Sequence, residues 1–477
     1  METPQIRGVA AMLWIWRFLR DPVGSLEAAQ ERFGPAVVLG PLLPGGVKTR
    51  KYILGTGADY NRIVFGDPAS FQTTGQTRCG PPDSALRRIR NGLTAMNGAK
   101  HRQQRQFIAP FFSKKAIDQS CINLVATADE MMAHWPIGKT VDIADLFHHL
   151  MLRLSARTLF AREKPERLDV LGAMVHELVK RNLSPWVQLI PFNVPGTPYH
   201  GLLRHAERLE RLLLEIFRER RAYPVHEGGD MLDHLIHARD ADNTPMTDAD
   251  LLGQATILFG ASYETQSKVM TWTSLLLAQH PNVQRRLMEE LDTVLGGRPP
   301  SIEQLESLPY LEAVLNESMR ILPPVPYTLR RSKVEMDMLG IPVQAGDWVV
   351  LSHYITHRCP NLYPQPRRFL PERWFTIKPS QYEYLPFSAG PRWCIGRPMA
   401  MNMMKLTLAM AMQRFRWQVQ PGARIDRMVR VTMSPKPGVP MVLAPQDRKF
   451  QAAPLAGAVA GMLDWTDGPA ESLSRAA

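Results

Sequence analysis

One cysteine of the sequence stands where a sulfur atom could act as a ligand or a nucleophile. Cys394 follows a Gly390-Pro391 turn, and a helical pattern begins just after it. The first turn of a helix leaves backbone N–H groups unpaired, and these groups, with the positive end of the helix, favour a thiolate over a thiol. Arg392 adds a positive charge two residues away. The pattern indicates a functional thiolate, although a lone cysteine is also often a small buried apolar residue.

Two further pairs of residues could do chemistry on helices. Glu317 and Arg320 are three residues apart, so they share a helix face and can form an ion pair. Glu264 and Thr265 place a carboxylate beside a hydroxyl, a combination that suits proton transfer. Taken alone, each pair also has an ordinary interpretation: a surface ion pair for the first, a packing threonine for the second.

The composition limits the class of protein. Of the 477 residues, 45% are hydrophobic and 21% charged, which excludes a disordered chain and a collagen-like fibre. With only four cysteines, no disulfide framework is expected, and a reducing compartment, the cytoplasm, is predicted. The 57 basic and 45 acidic residues give a net charge of +12, which admits nucleic acid, an anionic membrane surface or an acidic protein as a partner.

A long helix organises the middle of the sequence. Thr247 and Asp250 form an N-terminal capping pattern, and no proline follows until Pro281. This stretch predicts a helix of up to about 32 residues, roughly 48 Å long. Its centre, 255–260, is nearly all apolar, so we expect it to cross one large core. Further helices are predicted over 281–297, 309–322 and 395–415.

Short strands accompany these helices. β-type runs beside turn signals occur at 36–39, 51–54, 341–343 and 348–351. The sequence therefore predicts a mainly α fold with a minor β subdomain, with residues 1–450 as a single domain. Residues 451–477 are rich in Ala, Gly and Ser and are expected to form a loosely ordered tail.

No segment of the sequence predicts a membrane span. The best candidate, 9–19, has about half of the ~20 apolar residues that a spanning helix needs, and it contains Arg17. Trp14, Trp16 and Phe18 could rest on a membrane surface, but packing on the protein's own body is the favoured interpretation. No nucleic-acid partner is expected either, because the arginine-rich stretch 204–221 lacks interleaved aromatic residues.

The surroundings of Cys394 resemble a known signature. Phe387-x-x-Gly390-x-Arg392-x-Cys394-x-Gly396 is similar to the heme-binding motif of the cytochrome P450 family, of the soluble bacterial type, at every defining position. The resemblance implies a long central helix over a buried heme b, with Cys394 as the proximal iron ligand, the metal-binding residue. It also implies that Phe387 packs beside the sulfur and that Arg392 binds a heme propionate. Gly390 and Gly396 would leave room for the loop to approach the porphyrin.

A second resemblance gives Glu317 and Arg320 a different role. Glu317-Ser318-Met319-Arg320 is similar to the family's ExxR element, and Pro371-Glu372-Arg373-Trp374 to its PERF element, with Trp in the last place. The resemblance implies that Glu317, Arg320 and Arg373 form a buried triad that fixes the coil beneath the heme. Their role would be structural rather than catalytic.

The long helix carries a third resemblance, at Ala261-Ser262-Tyr263-Glu264-Thr265-Gln266. The family's acid–alcohol pair is present as Glu264 and Thr265, which implies that they relay protons to bound dioxygen. Ser262 stands where glycine is usual and Gln266 where a hydroxyl is usual. We expect Ser262 to place a side chain near the heme and to narrow the pocket or alter its waters.

Further matches concern the propionates and the substrate. The resemblance implies that His101 and Arg105 bind propionates, and that Arg330 does too, with Arg331 as an alternative. It places the walls of the substrate pocket at 87–96, 186–192, Ala261 and 326–328.

The function implied is that of a heme-thiolate monooxygenase. It would use O2 to hydroxylate or epoxidise a small apolar organic substrate, with electrons ultimately from NAD(P)H through a separate ferredoxin- or flavodoxin-type donor. A basic face around Arg397 would dock that donor and account for part of the positive charge. Two alternatives stay open: a heme-thiolate peroxygenase or isomerase, and a non-enzymatic heme protein that senses a gas.

Overall fold

The computed structural model describes residues 3–40, 50–74, 79–225, 229–240 and 242–465. The α-helices in these ranges are α1 Gly8–Arg20, α2 Pro22–Phe33, α3 Ala58–Gly66, α4 Ala85–Arg90, α5 Gly98–Ile108, α6 Lys114–Ala133, α7 Ile143–Leu159, α8 Pro165–Asn182, α9 Pro185–Leu189, α10 Pro198–Ala222, α11 Met231–His237, α12 Asp248–Gln279, α13 Pro281–Leu295, α14 Ile302–Glu306, α15 Pro309–Ile321, α16 His353–Thr356 and α17 Arg397–Arg414. The strands are β1 Gln5–Ile6, β2 Ala36–Leu39, β3 Tyr52–Gly55, β4 Phe71–Gln72, β5 Thr140–Asp142, β6 Tyr327–Ser332, β7 Met336–Met338, β8 Ile341–Val343, β9 Trp348–Ser352, β10 Phe415–Val419, β11 Asp426–Val429, β12 Met433–Lys436 and β13 Pro440–Pro445.

Helix α12 crosses the centre of the molecule. It runs for 32 residues without interruption, as the sequence predicts, and begins where the Thr247 hydroxyl accepts a hydrogen bond from the Asp250 N–H group at 3.2 Å. It packs against α4, α7 and α15. The approach to α4 requires glycine, because a Cβ at Gly253 would lie 2.3 Å from the Asn91 carbonyl oxygen. α12 is therefore held in place over much of its length.

The predicted mainly α fold with a minor β part is confirmed. Most helices contribute to one large cluster of buried apolar residues, which runs from α2 through α12 to the C-terminal strands. A smaller cluster lies under β2, β3 and β9. In the described part of the chain, no helix has the length and apolar character needed to cross a membrane.

The largest sheet has six strands in the order β1-β2-β3-β9-β6-β4. β3 and β9 are parallel, with Tyr52 opposite Trp348, and β6 is antiparallel to β9, with Arg330 opposite Val349. The other sheets are β10-β13-β5 and the pairs β11-β12 and β7-β8. The predicted strands at 36–39, 51–54, 341–343 and 348–351 are all present, shifted by at most one residue.

The C-terminal region differs from expectation at two places. Helix α17 begins at Arg397 rather than at residue 395, because Gly396 is its N-cap and Pro398 occupies the first turn. The expected loose tail does not begin at residue 451, since Val459, Met462 and Leu463 are buried in the main core. Residues 466–477 lie outside the described residues.

Candidate active site

The loop that carries Cys394 is shaped by glycine and by its own backbone. Gly390 has φ +67°, and a Cβ there would lie 2.1 Å from the Phe65 carbonyl oxygen, so only glycine fits. The Cys394 N–H group donates to the Phe387 carbonyl at 2.8 Å, which closes the loop. At the start of α17, the backbone N–H groups of Gly396 and Arg397 point at the Cys394 sulfur, as the sequence predicts.

The Cys394 thiol is held in a desolvated place. Its side chain keeps accessible surface although protein surrounds it, so that surface faces an internal space rather than open solvent. Burial raises the pKa of the thiol above its usual value, against the opposite effects of the Gly396 N–H group and Arg105. The predicted preference for the thiolate is therefore not achieved by the N–H groups alone. A bound metal ion would supply the missing positive charge.

Three arginine side chains near this loop have no carboxylate partner in the described part of the chain. Arg105 donates from Nη1 to the Trp393 carbonyl at 3.0 Å, and Arg330 donates from Nη1 to the Leu329 carbonyl at 3.0 Å. Arg392 donates from Nη2 to the Leu93 carbonyl at 3.4 Å. Among the described residues none of the three forms an ion pair with an acidic side chain, so their positive charges face one another uncompensated.

Burial without a compensating negative charge lowers the pKa values of these side chains. Burial lowers the pKa of Arg330 to about 10, and the charge of Arg392 adds to the effect. Burial, with Arg105 nearby, also lowers the pKa of Arg392 to about 10. His101, on the same helix as Arg105, is buried, and desolvation together with Arg392 and Arg105 lowers its pKa to about 4. His101, Arg105, Arg330 and Arg392, which the sequence predicts separately, therefore lie at one site.

A second charged cluster, beneath the loop, is fully paired. The Glu317 carboxylate accepts hydrogen bonds from Arg320 Nη2 at 2.8 Å and from Arg373 Nε at 2.9 Å, and all three side chains are buried. Burial raises the pKa of Glu317, but the two arginines lower it more, so the pKa ends below its usual value. Arg320 and Arg373 also donate to carbonyl oxygens of the coil at 357–368, including Pro364 and Pro366.

Two further residues, whose roles the sequence did not reveal, complete this cluster. The Trp374 indole N–H group donates to Glu317 at 3.1 Å, a bond that phenylalanine at this position could not make. His357, a buried histidine, links the triad to the Cys394 loop. Its Nε2 accepts from the Leu385 N–H group at 2.8 Å, so its Nδ1 carries the hydrogen and donates to the Arg320 carbonyl at 3.1 Å. Only the folded contacts show this role.

The middle of α12 carries the remaining predicted residues. Ala261 is exposed although most of this helix is buried, which shows that one side of the helix faces open space. Thr265 lies one turn further and donates from Oγ1 to the Ala261 carbonyl at 2.9 Å. Helix α5, with His101 and Arg105, is joined to the first half of α12 by the Gln104–Gln254 hydrogen bond at 3.0 Å.

The comparisons with known proteins agree with this arrangement. A family model described as Cytochrome P450 matches residues 40–441. The chain is a cytochrome P450. It is 32% identical to a cyclooctat-9-en-7-ol 5-monooxygenase of Streptomyces melanosporofaciens, over 76% of this chain and 80% of that protein. It is 28% identical to a pentalenene oxygenase of Streptomyces avermitilis, over 72% of this chain and 77% of that protein.

A solved structure supports the same assignment. The retinoic acid-bound cyanobacterial CYP120A1 superposes with a TM-score of 0.79 and 25% identity, covering 94% of this chain and 100% of that one. As a cytochrome P450, the protein is a heme-dependent monooxygenase and an oxidoreductase, which confirms the predicted family, enzyme class and cofactor.

The residues of this cytochrome P450 fit heme. The site offers one thiol for the iron and a group of uncompensated cations for two propionate carboxylates. The structure also separates Arg330 from Arg331: Arg330 is buried beside Arg392, whereas Arg331 is on the other face of β6, against the turn at Gly346. Of the two alternatives, Arg330 is the one that lies beside Arg392.

Glu264 and Thr265 do not point the same way. Glu264 Oε1 accepts from the Thr432 hydroxyl at 3.3 Å and lies 3.6 Å from Lys268 Nζ. Its side chain lines a cleft of about 860 Å³ between α7, α8, α12 and the β11–β12 hairpin. The Glu264 carboxylate therefore points into this cleft, whereas the hydroxyl of Thr265 lies beside the exposed Ala261.

The expectation that Ser262 narrows the heme pocket is wrong. Its hydroxyl lies 2.8 Å from the Ser155 hydroxyl on α7, and it accepts from Gln266 Nε2 at 3.1 Å. Gln266 in turn reaches Met403 Sδ of α17 at 3.9 Å. Because each helical residue turns by about 100°, Ser262 points to α7 while Ala261 faces the open space. The two departures from the family pattern thus form one polar link between α7, α12 and α17.

The expected substrate walls are placed only in part. Leu93 and Met96, within 87–96, are buried beside α12. In the stretch 186–192, Val187 is buried, but Trp186 and Phe192 keep 62% and 65% of their surface exposed. That stretch therefore does not form a closed wall in this structure.

Proposed function

We propose that this cytochrome P450 inserts one oxygen atom of O2 into a C–H bond or an alkene of a small apolar organic substrate. The observation that carries the proposal is the desolvated thiol of Cys394 beside uncompensated cations, with the exposed Ala261 of α12 available to a substrate. Bound heme supplies the activation of dioxygen. Each turnover takes up two electrons and two protons, and the second oxygen atom leaves as water.

The residues around Cys394 hold the cofactor. The Cys394 sulfur binds the iron, and the N–H groups of Gly396 and Arg397 stabilise its negative charge. Phe387 packs beside the sulfur and is covered by the Arg397 guanidinium at 5.7 Å. The propionates are bound by the cations Arg105, Arg330 and Arg392 and by His101, whose lowered pKa leaves it a neutral hydrogen-bond donor.

Protons reach the site along the flank of α12. Glu264 exchanges protons with water in the cleft, and Thr265, whose hydroxyl lies beside Ala261, passes them to the heme. Because adjacent residues of a helix do not face each other, water carries the proton from the Glu264 carboxyl group, which is turned toward Thr432, to the Thr265 hydroxyl. Thr265→Ala should divert electrons to hydrogen peroxide, whereas Thr265→Ser should retain product formation.

The substrate class is supported by the relatives. One acts as a cyclooctat-9-en-7-ol 5-monooxygenase and another as a pentalenene oxygenase, so we favour a terpene-like hydrocarbon or its alcohol for this chain. Such a molecule would contact Ala261 and the apolar side chains of Leu93 and Met96. Titration of candidate compounds against the heme spin-state shift would identify binders.

A separate ferredoxin- or flavodoxin-type protein delivers the electrons, ultimately from NAD(P)H, in the cytoplasm. Arg397 is exposed next to Cys394 and forms no ion pair with an acidic side chain in the described part of the chain, which suits an acidic donor. Cys359 and Cys394 form no disulfide, in keeping with a reducing compartment. Arg397→Glu should slow reduction and leave the spin-state shift by substrate unchanged.

Reconstitution tests the reaction class. The heme-containing protein is incubated with a surrogate ferredoxin or flavodoxin, its reductase, NAD(P)H and compounds that shift the spin state. Product that carries one oxygen atom from labelled O2 supports the proposal. Product formed only with added peroxide would make the protein a peroxygenase, and binding without any turnover would favour a gas-sensing role.

A further inference from the structure

Helix α1 leaves an apolar stripe uncovered. Its members are spaced three or four residues apart, so they share one helix face. Each keeps between 51% and 73% of its surface exposed. The residues of this stripe are Val9, Met12, Leu13, Trp16 and Leu19. A helix on a water-facing surface normally turns such a face toward the core, so this orientation calls for a partner.

The other side of α1 is already packed, so the helix cannot roll to bury the stripe. Ala11 is fully buried, and the Trp14 ring stacks on Phe18 with ring centroids 5.2 Å apart. Phe18 meets the edge of Tyr327 on β6 at 5.1 Å. The expectation that these aromatic residues pack on the body is confirmed for Trp14 and Phe18 but is wrong for Trp16, which points outward.

Both ends of α1 are also fixed. β1, just before the helix, pairs with β2 at Gln5 and Val38. At the other end, the Asp21 N–H group donates to the Arg17 carbonyl at 2.8 Å, and α2 begins at the next residue. The stripe is therefore presented by a rigidly held helix.

The charged residues of α1, and Arg7 just before it, are all positive. Between Glu2 and Asp21 the sequence contains Arg7, Arg17 and Arg20 and no acidic residue. The Arg20 guanidinium lies 4.2 Å from the centre of the Trp16 ring, so a positive charge lies on the stripe itself. A second copy packed symmetrically on this face would bring these cations together, which disfavours a dimer. A surface of anionic lipid headgroups with apolar chains beneath matches both features.

We propose that α1 lies flat in the headgroup region of an anionic membrane. The stripe enters the boundary between headgroups and acyl chains, and Arg7, Arg17 and Arg20 contact lipid phosphates. With 13 residues, α1 rests on the bilayer and does not span it. The association depends on the surface of the folded protein and not on its catalytic reaction.

Vesicle co-sedimentation of the heme-containing, full-length protein tests the proposal. The vesicles contain phosphatidylcholine alone or equal parts of phosphatidylcholine and phosphatidylglycerol. We expect binding to the anionic vesicles at least about tenfold tighter than to the neutral ones, and weaker in high salt, since each arginine near the surface contributes ~1 kcal/mol.

Two variants separate the apolar and the charged contributions. Leu13→Ser with Trp16→Ser should weaken binding about tenfold or more, and Arg17→Gln about fivefold, the equivalent of ~1 kcal/mol. Val170→Ser is the matched control, because Val170 on α8 is exposed to 52%, close to the 54% of Leu13, and lies outside α1. It should leave binding unchanged. Circular dichroism and the heme spectrum confirm that each variant is folded.

Three results would overturn the proposal. The first is no binding of the wild-type protein to anionic vesicles. The second is equal loss of binding in the Leu13/Trp16 variant and in Val170→Ser. The third is self-association in solution that the Leu13/Trp16 substitutions abolish while vesicle binding is absent, which would assign the stripe to a second copy of this chain.

Discussion

Two clusters of charged side chains lie on either side of the Cys394 loop, and they differ in how their charges are balanced. Beneath the loop, Glu317 is paired with Arg320 and Arg373, and further hydrogen bonds come from the coil and Trp374. Beside the loop, Arg330 is buried and Arg392 is half-buried, and within the described ranges both donate hydrogen bonds only to carbonyl oxygens. In the first cluster, protein groups balance the charges. In the second cluster, only an added anion would balance them.

This difference in charge balance separates residues that stabilise the fold from residues that bind the cofactor. Breaking a buried, paired cluster leaves a charge stranded in the interior and destabilises the fold. Removing one of several uncompensated cations relieves repulsion in the empty protein and weakens only the bound state. The two clusters should therefore respond in opposite ways to the loss of one residue.

The largest effect is expected at the paired cluster. Glu317→Ala should destabilise the fold by about 3–5 kcal/mol, because it strands Arg320 and Arg373 in the core, and it should prevent heme incorporation. Urea unfolding and heme content measure this. Glu306→Ala, which breaks the exposed pair with Lys114, is the control and should change neither. Full heme content in Glu317→Ala would contradict the structural role of the triad.

A smaller and opposite effect is expected at the unpaired cluster. Arg392→Gln should leave the stability of the heme-free protein unchanged or raised, because it removes repulsion from Arg105. Heme should bind about 10–100-fold more weakly, the loss of one charge-assisted hydrogen bond worth about 1.5–3 kcal/mol. The rate of heme transfer to a heme-scavenging protein reports this. If heme-free Arg392→Gln were much less stable than the heme-free wild type, Arg392 would have a structural role instead.

Acid should destabilise the protein through histidines held neutral in the core. Burial and the charge of Arg330 lower the pKa of His353 to about 3, whereas the unfolded chain has a value near 6.5. The folded state thus binds fewer protons, and the stability present above about pH 6.5 is lost as the pH falls toward 3. The contribution of His353 at pH 5.5 is about 1.4 kcal/mol. Urea unfolding between pH 7.5 and 5.5 should show a shallower loss in His353→Gln, and an identical slope would refute this assignment.

The smallest effect is expected on α12. Ser262→Ala should cost about 1 kcal/mol, since it leaves the Ser155 hydroxyl without its partner. The heme spectrum and the spin-state shift by substrate should stay as in the wild type, because Ser262 points to α7. A changed spin-state shift would contradict this and would indicate that Ser262 contributes to the pocket, as the sequence alone suggested.

Local sequence patterns predicted the parts of the fold that depend on local chemistry. The Thr247 cap and the absence of proline before Pro281 set the limits of α12. The glycines at 390 and 396 and the N–H groups after Cys394 shaped the loop. Resemblance to the family then joined Glu317 to Arg373, 56 residues away, which no local pattern could do.

Other features depend on contacts between distant segments and could not be predicted. The direction of Glu264 is set by Thr432, 168 residues later. Ser262 is turned by its contact with Ser155 on α7, and His357 gains its role only where the Cys394 loop reaches it. The outward face of Trp16 likewise depends on which side of α1 Tyr327 occupies.

The absorption spectrum of the reduced, carbon monoxide-bound protein tests the central claim most directly, that Cys394 is the iron ligand. A Soret band at the position typical of thiolate-ligated heme is expected for the wild type, and its loss is expected in Cys394→His. A Soret band at the position of histidine-ligated heme in the native wild-type protein would contradict the assignment.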